Sequence, residues 1–223
     1  MTGLRRPRSA RGSGAELRDE ILTATAGLLA STGHADAVSI RAVGKLVGVS
    51  APSIYRHFAD KNALIDAVVA QVFEALADAL RAATDPSTSP VTQLRDQGTA
   101  YVRFALAHPE QYRLAMVTNP DGAVDQVLGS GAFHHFADTV RAWMATGTIE
   151  SGDPTPIVLE FWAAAHGIAA LLIAKPYLPW GNVEDAVDRV LSAACVGRAV
   201  LGMIGGEPSP DSVEEWIAHV RES

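Results

Sequence analysis

Along most of the chain apolar residues recur every three or four positions, and no stretch alternates apolar and polar residues as a half-buried strand would. The pattern predicts an all-α protein. A first helix is expected over residues 15–31, with Leu17, Ile21 and Leu28 on one face. Thr32-Gly33-His34 stops it, because glycine reaches the left-handed cap conformation without a Cβ penalty. A long amphipathic helix is predicted over residues 61–83, where Leu64, Val68, Val72, Leu76 and Leu80 stand four apart behind an N-cap candidate, Asp60. After a break at residues 84–89, Ser89-Pro90 reads as N-cap and first helical position of a helix ending near His108. Pro109 opens a short helix to about residue 117. Further helices are expected over 126–145, with an interruption at Gly129-Ser130-Gly131, over 154–174, over 183–204, and from Ser209-Pro210 onward.

The most specific pattern lies at residues 39–58, SIRAVGKLVGVSAPSIYRHF, which reads as two short helices joined by a tight turn. Ser39 is placed to cap the first, and Ala42, Val43 and Leu46 would give it a buried face. Gly48 would take the positive φ that ends that helix, Val49 would drop between the two helices, and Ser50 would cap the second. Pro52 falls in the first turn of that second helix, where a missing N–H is tolerated. Ile54 and Phe58, four apart, would bury against the first helix and leave Ala51, Ser53, Tyr55, Arg56 and His57 on or near the exposed side. Small residues at the start of such a helix let its backbone sink into the major groove, where polar and aromatic side chains reach phosphates and base edges.

Charge sharpens this picture. The net charge of −7 argues against a polyanionic partner, but it is unevenly spread. Residues 1–61 carry nine Lys and Arg against five Asp and Glu; residues 62–223 carry nine against twenty. A basic head on an acidic body orients itself toward DNA. The arm over residues 1–14, rich in Gly, Ser and Arg, is expected to be disordered; Arg5, Arg6, Arg8 and Arg11 precede no apolar segment, so no export signal is expected. The single cysteine, Cys195, excludes an intrachain disulfide and a Cys-rich zinc site, and fits a reducing cytoplasm.

Residues 39–65, with the helix before them, resemble the N-terminal domain of the tetracycline-repressor (TetR) family. The matching residues run from Ser39 and Arg41 through Gly48-Val49-Ser50 to Ile54-Tyr55, Phe58, Lys61 and Leu64. The resemblance implies a three-helix DNA-binding domain over residues 15–60 and a helical ligand-binding and dimerisation domain over 61–223. It implies that Tyr55, His57 and Lys61 grip phosphates while Arg41, Ala51, Pro52 and Ser53 approach bases. Ser39, Ser50 and Arg56 complete the expected interface. Gly44 and Val47 depart from the pattern, which more often has alanine there; in a helix interior Gly44 would cost about 1 kcal/mol relative to alanine.

In the body, FALAHPEQYRL over residues 104–114 and Trp162-Ala-Ala-Ala-His166-Gly167 resemble the subgroup whose ligand domain carries a W-x3-H-G (WHG) signature. Trp162 and His166, four apart, share a helix face. The resemblance implies a pocket with candidate walls Tyr101, Phe104, Leu114, Met116, Phe133, Phe136, Trp143, Phe161, Trp162 and His166. Few charges lie on these faces, so an apolar or aromatic effector is expected. The alternative, which the residue types favour, is plain core, with Trp162 packed inside and His166 bonded to a buried carbonyl.

Residues 157–174 are nearly all apolar but include Glu160 and His166 and are short for a membrane span, so a buried bundle helix is expected, with no membrane partner. His134-His135 has no further ligand at metal spacing, so no metal or other cofactor is expected. A two-fold operator requires a two-fold protein. Val187, Val190, Leu191, Ala194, Cys195, Arg198 and Leu201 form a stripe suited to a homodimeric four-helix bundle.

Two readings of function follow. The first is a cytoplasmic repressor that releases an inverted-repeat operator on binding a small molecule; the second is a DNA-binding regulator with no such switch, controlled by abundance or by a protein partner. An enzyme is disfavoured: G-x-S-x-G, the P-loop, H-E-x-x-H and a Gly-rich dinucleotide turn are all missing from the sequence.

Overall fold

The computed structural model describes residues 13–32, 38–116, 127–204 and 209–222, apart from the side chains of Ser13, Leu114 and Met116. The described residues form ten α-helices and no strand: α1 (Ser13–Thr32), α2 (Ile40–Val47), α3 (Ala51–Tyr55), α4 (Lys61–Ala83), α5 (Pro90–Ala107), α6 (Pro109–Met116), α7 (Gly131–Ala145), α8 (Thr155–Ala174), α9 (Val183–Ile204) and α10 (Pro210–Glu222). The expected arm over residues 1–14 and the stop at Gly33-His34 fall largely or wholly outside the described residues.

Helix starts follow the capping residues. The Ala63 amide donates to Asp60 Oδ1 (2.8 Å) ahead of α4, and the Thr92 amide donates to Ser89 Oγ (3.2 Å) ahead of α5. Asp153 Oδ1 accepts from the Thr155 amide (3.0 Å) at the start of α8, and Ser209 Oγ from the Ser212 amide (3.1 Å) at the start of α10. Each bond satisfies an N–H that the helix itself cannot. The interruption at residues 129–130 is present: the Ser130 amide and hydroxyl both bond to the Val127 carbonyl, and α7 starts at Gly131.

The chain divides into two compact units, Met1–Ala75 with His108–Ser130, and Leu76–Ala107 with Gly131–Ser223. The division is not the expected one at residue 60. The apolar stripe of α4 is buried along its whole length, so its first half belongs with α1 and α6 and its second half with the body. In the first unit α1 packs on α2 and α6, and α2 on α3. Ile21, Leu22, Thr25 and Leu29 form the inner face of α1; Leu17 and Leu28 are only half-buried.

In the second unit α5 packs against α7, α8 and α9, and α8 packs on both α7 and α9. A close approach occurs at Gly98, where an added Cβ would lie 2.8 Å from Phe161 Cζ and 3.0 Å from Leu191 Cδ1. A polar cluster crosses the same core. The Gln97 amide donates to Thr139 Oγ1 (2.7 Å) and Thr84 Oγ1 (3.1 Å), and Thr84 Oγ1 in turn meets His135 Nε2 (2.9 Å). Burial pulls the His135 pKa down, favouring the neutral ring.

Three residues of the expected dimer stripe turn inward instead. Val187, Leu191 and Cys195 are buried within the protomer, because this face of α9 is the one that meets α5. Val190 remains exposed, and Ala194, Arg198 and Leu201 are half-buried. Burial pushes the Cys195 thiol up to about 11, so it stays protonated and unreactive at neutral pH.

Phe161 and Leu191 are buried, and a new methyl at position 98 would press on both at once. Overpacking costs about 1–3 kcal/mol, more than the roughly 1 kcal/mol of helix propensity that alanine adds. Gly98→Ala is therefore expected to lower the urea midpoint with an unchanged m-value; a raised midpoint would contradict this packing.

Candidate nucleic-acid interface and the groove in the helical body

Local chemistry shapes the helix-turn-helix. Ser39 is extended (φ −129°, ψ 145°), and its hydroxyl accepts from the Ala42 amide at 3.1 Å. Gly48 takes φ 75°, and the Gly44 carbonyl accepts from both the Gly48 and Val49 amides, which closes α2 and turns the chain. Pro52 lies in the first turn of α3. Ile54 is fully buried and Phe58 nearly so, pinning α3 to the head while Tyr55 is 52% exposed. Arg18 of α1 lies over the Phe58 ring at 5.2 Å from its centroid, an anchor that sequence spacing does not reveal.

Three expectations are corrected here. Leu46 is exposed and Ala42 half-buried; Val43 is buried as expected, together with Ile40 and Gly44. Val49 is half-buried rather than fully inserted, because its backbone already occupies the space against Gly44: an added Cβ at Gly44 would sit 2.8 Å from the Val49 carbonyl oxygen. Ser50 makes no side-chain cap to α3; its hydroxyl pairs with Ser53 Oγ at 3.0 Å, and its carbonyl accepts from the Ser53 and Ile54 amides. Gly44 therefore answers to a close backbone approach, and its cost in helix propensity is offset by the turn it permits.

The expected DNA-facing residues fall on one short stretch. Arg41, Ser50, Pro52, Tyr55 and Arg56 are exposed, as is the capping Ser39; Ala51, Ser53, His57 and Lys61 are half-buried, with Lys61 opening α4. Lys45 was not anticipated. It is exposed, four residues after Arg41 and hence on the same face of α2, a signal the spacing did contain.

In the body, the expected pocket residues separate. Tyr101 Oη and His166 Nδ1 are 3.2 Å apart, Trp162 meets the His166 ring edge-on at 6.0 Å, and Phe136 and Phe161 pack at 5.9 Å. Burial pulls the His166 pKa down. Phe104 and Phe133 are half-buried. Leu114 and Met116 sit on α6, in the first unit, and their side chains lie outside the described residues. A groove of about 260 Å³ opens between α8 and α9 with its floor on α5 and α7. Of the ten expected wall residues only Trp143 and Phe161 line it. Its other walls include Ala194, Cys195, Arg198 and Leu201, taken from sequence as dimer contacts. The spacing of α9 could not distinguish a groove from an interface, since both need a face of small and apolar residues. Among the described residues no three His, Cys, Asp or Glu side chains gather as a metal site.

A capped α2, a glycine turn and a short exposed α3 on a bundle of amphipathic helices define a helix-turn-helix DNA-binding regulator. Comparison with known proteins agrees. Residues 21–68 match the family described as bacterial regulatory proteins, tetR family, and residues 94–194 match the tetracyclin repressor-like C-terminal domain. A protein of unknown function from Rhodococcus sp. RHA1 is 32% identical over 87% of this chain and 100% of its own, with a TM-score of 0.68. A TetR-like transcriptional regulator from the same source (20% identity, 85% of this chain and 97% of that one, TM-score 0.60) shares the fold. So does a TetR family transcription regulator from Marinobacter aquaeolei VT8 (17% identity, 83% and 98%, TM-score 0.64). No curated protein matched the sequence. The chain belongs to the TetR family of transcriptional regulators.

Two outcomes are expected from substitutions in the head. Gly44→Ala should lower the thermal midpoint, since a backbone oxygen cannot yield as a side chain can; stabilisation by the ordinary propensity gain of about 1 kcal/mol would contradict the close approach. Lys61→Ala should weaken binding evenly across DNA sequences and flatten the log–log salt slope by about one, as loss of one phosphate contact does. An unchanged slope, read by fluorescence anisotropy at several salt concentrations, would remove Lys61 from the interface.

Proposed function

We propose that the protein is a homodimeric, ligand-responsive repressor that holds an inverted-repeat operator and releases it when a small, largely apolar molecule enters the helical body. The observation that carries this reading is the groove between α8 and α9, walled by Trp143, Phe161, Ile157 and Leu201. A body that served only to join two heads would have no need of such a space. The groove favours the switch over regulation by abundance alone.

The outward faces of α8 and α9 support the dimer. Leu159 and Leu171 on α8, and Val190, Val196 and Met203 on α9, are exposed. Gly167 and Gly197 lie on these two helices with nothing within 4 Å of an added Cβ. Apolar residues interspersed with glycine suit the close packing of two helices against their symmetry mates. Val190 is retained from the expected stripe; the inward Val187, Leu191 and Cys195 are replaced by Val196, Met203 and the α8 pair. Each protomer then presents one α3 to DNA, with Arg41, Ala51, Pro52 and Ser53 toward bases and Tyr55, Arg56, His57 and Lys61 toward phosphates. The ligand acts through its differential affinity for the DNA-competent and released states. The protein acts in the cytoplasm, on the cell's own DNA.

Selection of bound fragments from genomic DNA, with purified full-length protein at near-physiological salt, tests the reading. Enrichment of an inverted repeat is expected, and a panel of small apolar compounds should contain members that release it. Enriched sites without two-fold symmetry would overturn the dimer, and an operator that no compound releases would overturn the switch.

A further inference from the structure

Arg18 stands on α1, outside the helix-turn-helix segment, yet it meets that segment at its end. Its guanidinium carbon lies 5.2 Å from the centroid of the Phe58 ring. Phe58 is 5% exposed, whereas Arg18 is exposed. The same ring lies 6.5 Å from that of His57, and Lys61 opens α4 three residues further on. α1 therefore delivers a cation to the place where His57 and Lys61 are expected to hold phosphates.

The neighbours of Arg18 one turn away on α1 are Gly14, Ala15, Ile21 and Leu22, none of them ionisable. The nearby acidic residues, Glu16, Asp19 and Glu20, stand three and four apart and share a different face of the helix. Among the described residues no carboxylate pairs with Arg18, nor with Arg41 or Arg56 in the same head. By contrast Arg95, Arg103 and Arg141 of the body each hold a carboxylate. An unpaired surface cation is ordinary by itself. One seated on a buried aromatic ring is held in place, with its charge still facing solvent.

We infer that Arg18 binds a DNA phosphate, so that the DNA-binding surface extends from the helix-turn-helix onto α1. A ring takes up the face of a guanidinium and leaves its N–H edge for two phosphate oxygens, the fork geometry in which arginine differs from lysine. Because Phe58 is packed into the head, the cation is positioned beside α3 before DNA arrives, and less side-chain freedom is lost on binding. The contact is to the backbone, so Arg18 adds affinity and fixes orientation without reading sequence. The inference rests on the helix-turn-helix as the DNA-binding element and on neither the effector nor the dimer.

Arg18→Met removes the charge and keeps a flexible thioether over the ring. Titrated by fluorescence anisotropy against a labelled mixed-sequence duplex at several salt concentrations, it is expected to flatten the log–log salt slope by about one, with the thermal midpoint unchanged. Arg18→Lys should keep the slope and bind more weakly, since an ammonium makes no fork. Arg141→Met, which removes a cation from the body, should leave the slope as it is. An unaltered slope in Arg18→Met would overturn the inference and leave Arg18 an anchor of Phe58 alone, a role that would show instead as a lowered midpoint in Arg18→Ala. Equal flattening in Arg18→Met and Arg141→Met would assign the effect to net charge and overturn it as well. So would a slope loss well above one together with a lowered midpoint, because α3 itself would then have moved. Failure of the unsubstituted protein to bind any DNA would overturn the helix-turn-helix reading along with this one, whereas a missing slope change in a protein that binds overturns only the role of Arg18.

Discussion

The body is organised by how closely α5 can approach its neighbours. At Gly98 there is no room for a methyl between α5, the Phe161 ring of α8 and Leu191 of α9. That contact draws three helices together, and what they bury follows from it. The inner faces of α8 and α9 are committed to the core, so their outer faces are left apolar and exposed, and the space beside Phe161 remains as a groove. Polar groups in this core bond to one another, although the buried Gln97 Oε1 is left without a partner. The Gln97 amide bridges Thr84 and Thr139, and Thr84 reaches His135.

The head obeys a similar constraint on a smaller scale. Gly44 lets the chain fold back so that its carbonyl takes two amides of the turn, and Gly48 supplies the positive φ that the reversal requires. Ile54 and Phe58 then fix α3, and Arg18 lies over the Phe58 ring. A recognition helix of only five residues has little stability of its own. Its position is imposed by these anchors, which leaves the outward residues free to be chosen for DNA.

The proposed function would couple a groove in the body to the placement of two heads. The α8 and α9 helices carry both the groove and the proposed dimer face, so an occupant of that groove would act on the helices that would join the protomers. A ligand that binds one arrangement of those helices better than another shifts their population in proportion to that difference.

The sequence alone determined the helices, their starts and the DNA-reading segment, because these depend on local chemistry. Caps at Ser39, Asp60 and Ser89 act over three residues, the φ of Gly48 belongs to one residue, and the four-residue stripe of α4 is a property of any helix. The tertiary structure decided which apolar face meets which neighbour. Leu46 was expected inside and is exposed; Val187, Leu191 and Cys195 were expected at an interface and lie in the core. The wall residues read from resemblance separated from the groove, except for Trp143 and Phe161, and Gly44 proved to answer to Val49 rather than to helix propensity. A hydrophobic period states that a face is buried but not against what, since burial is non-directional while contact depends on residues distant in sequence.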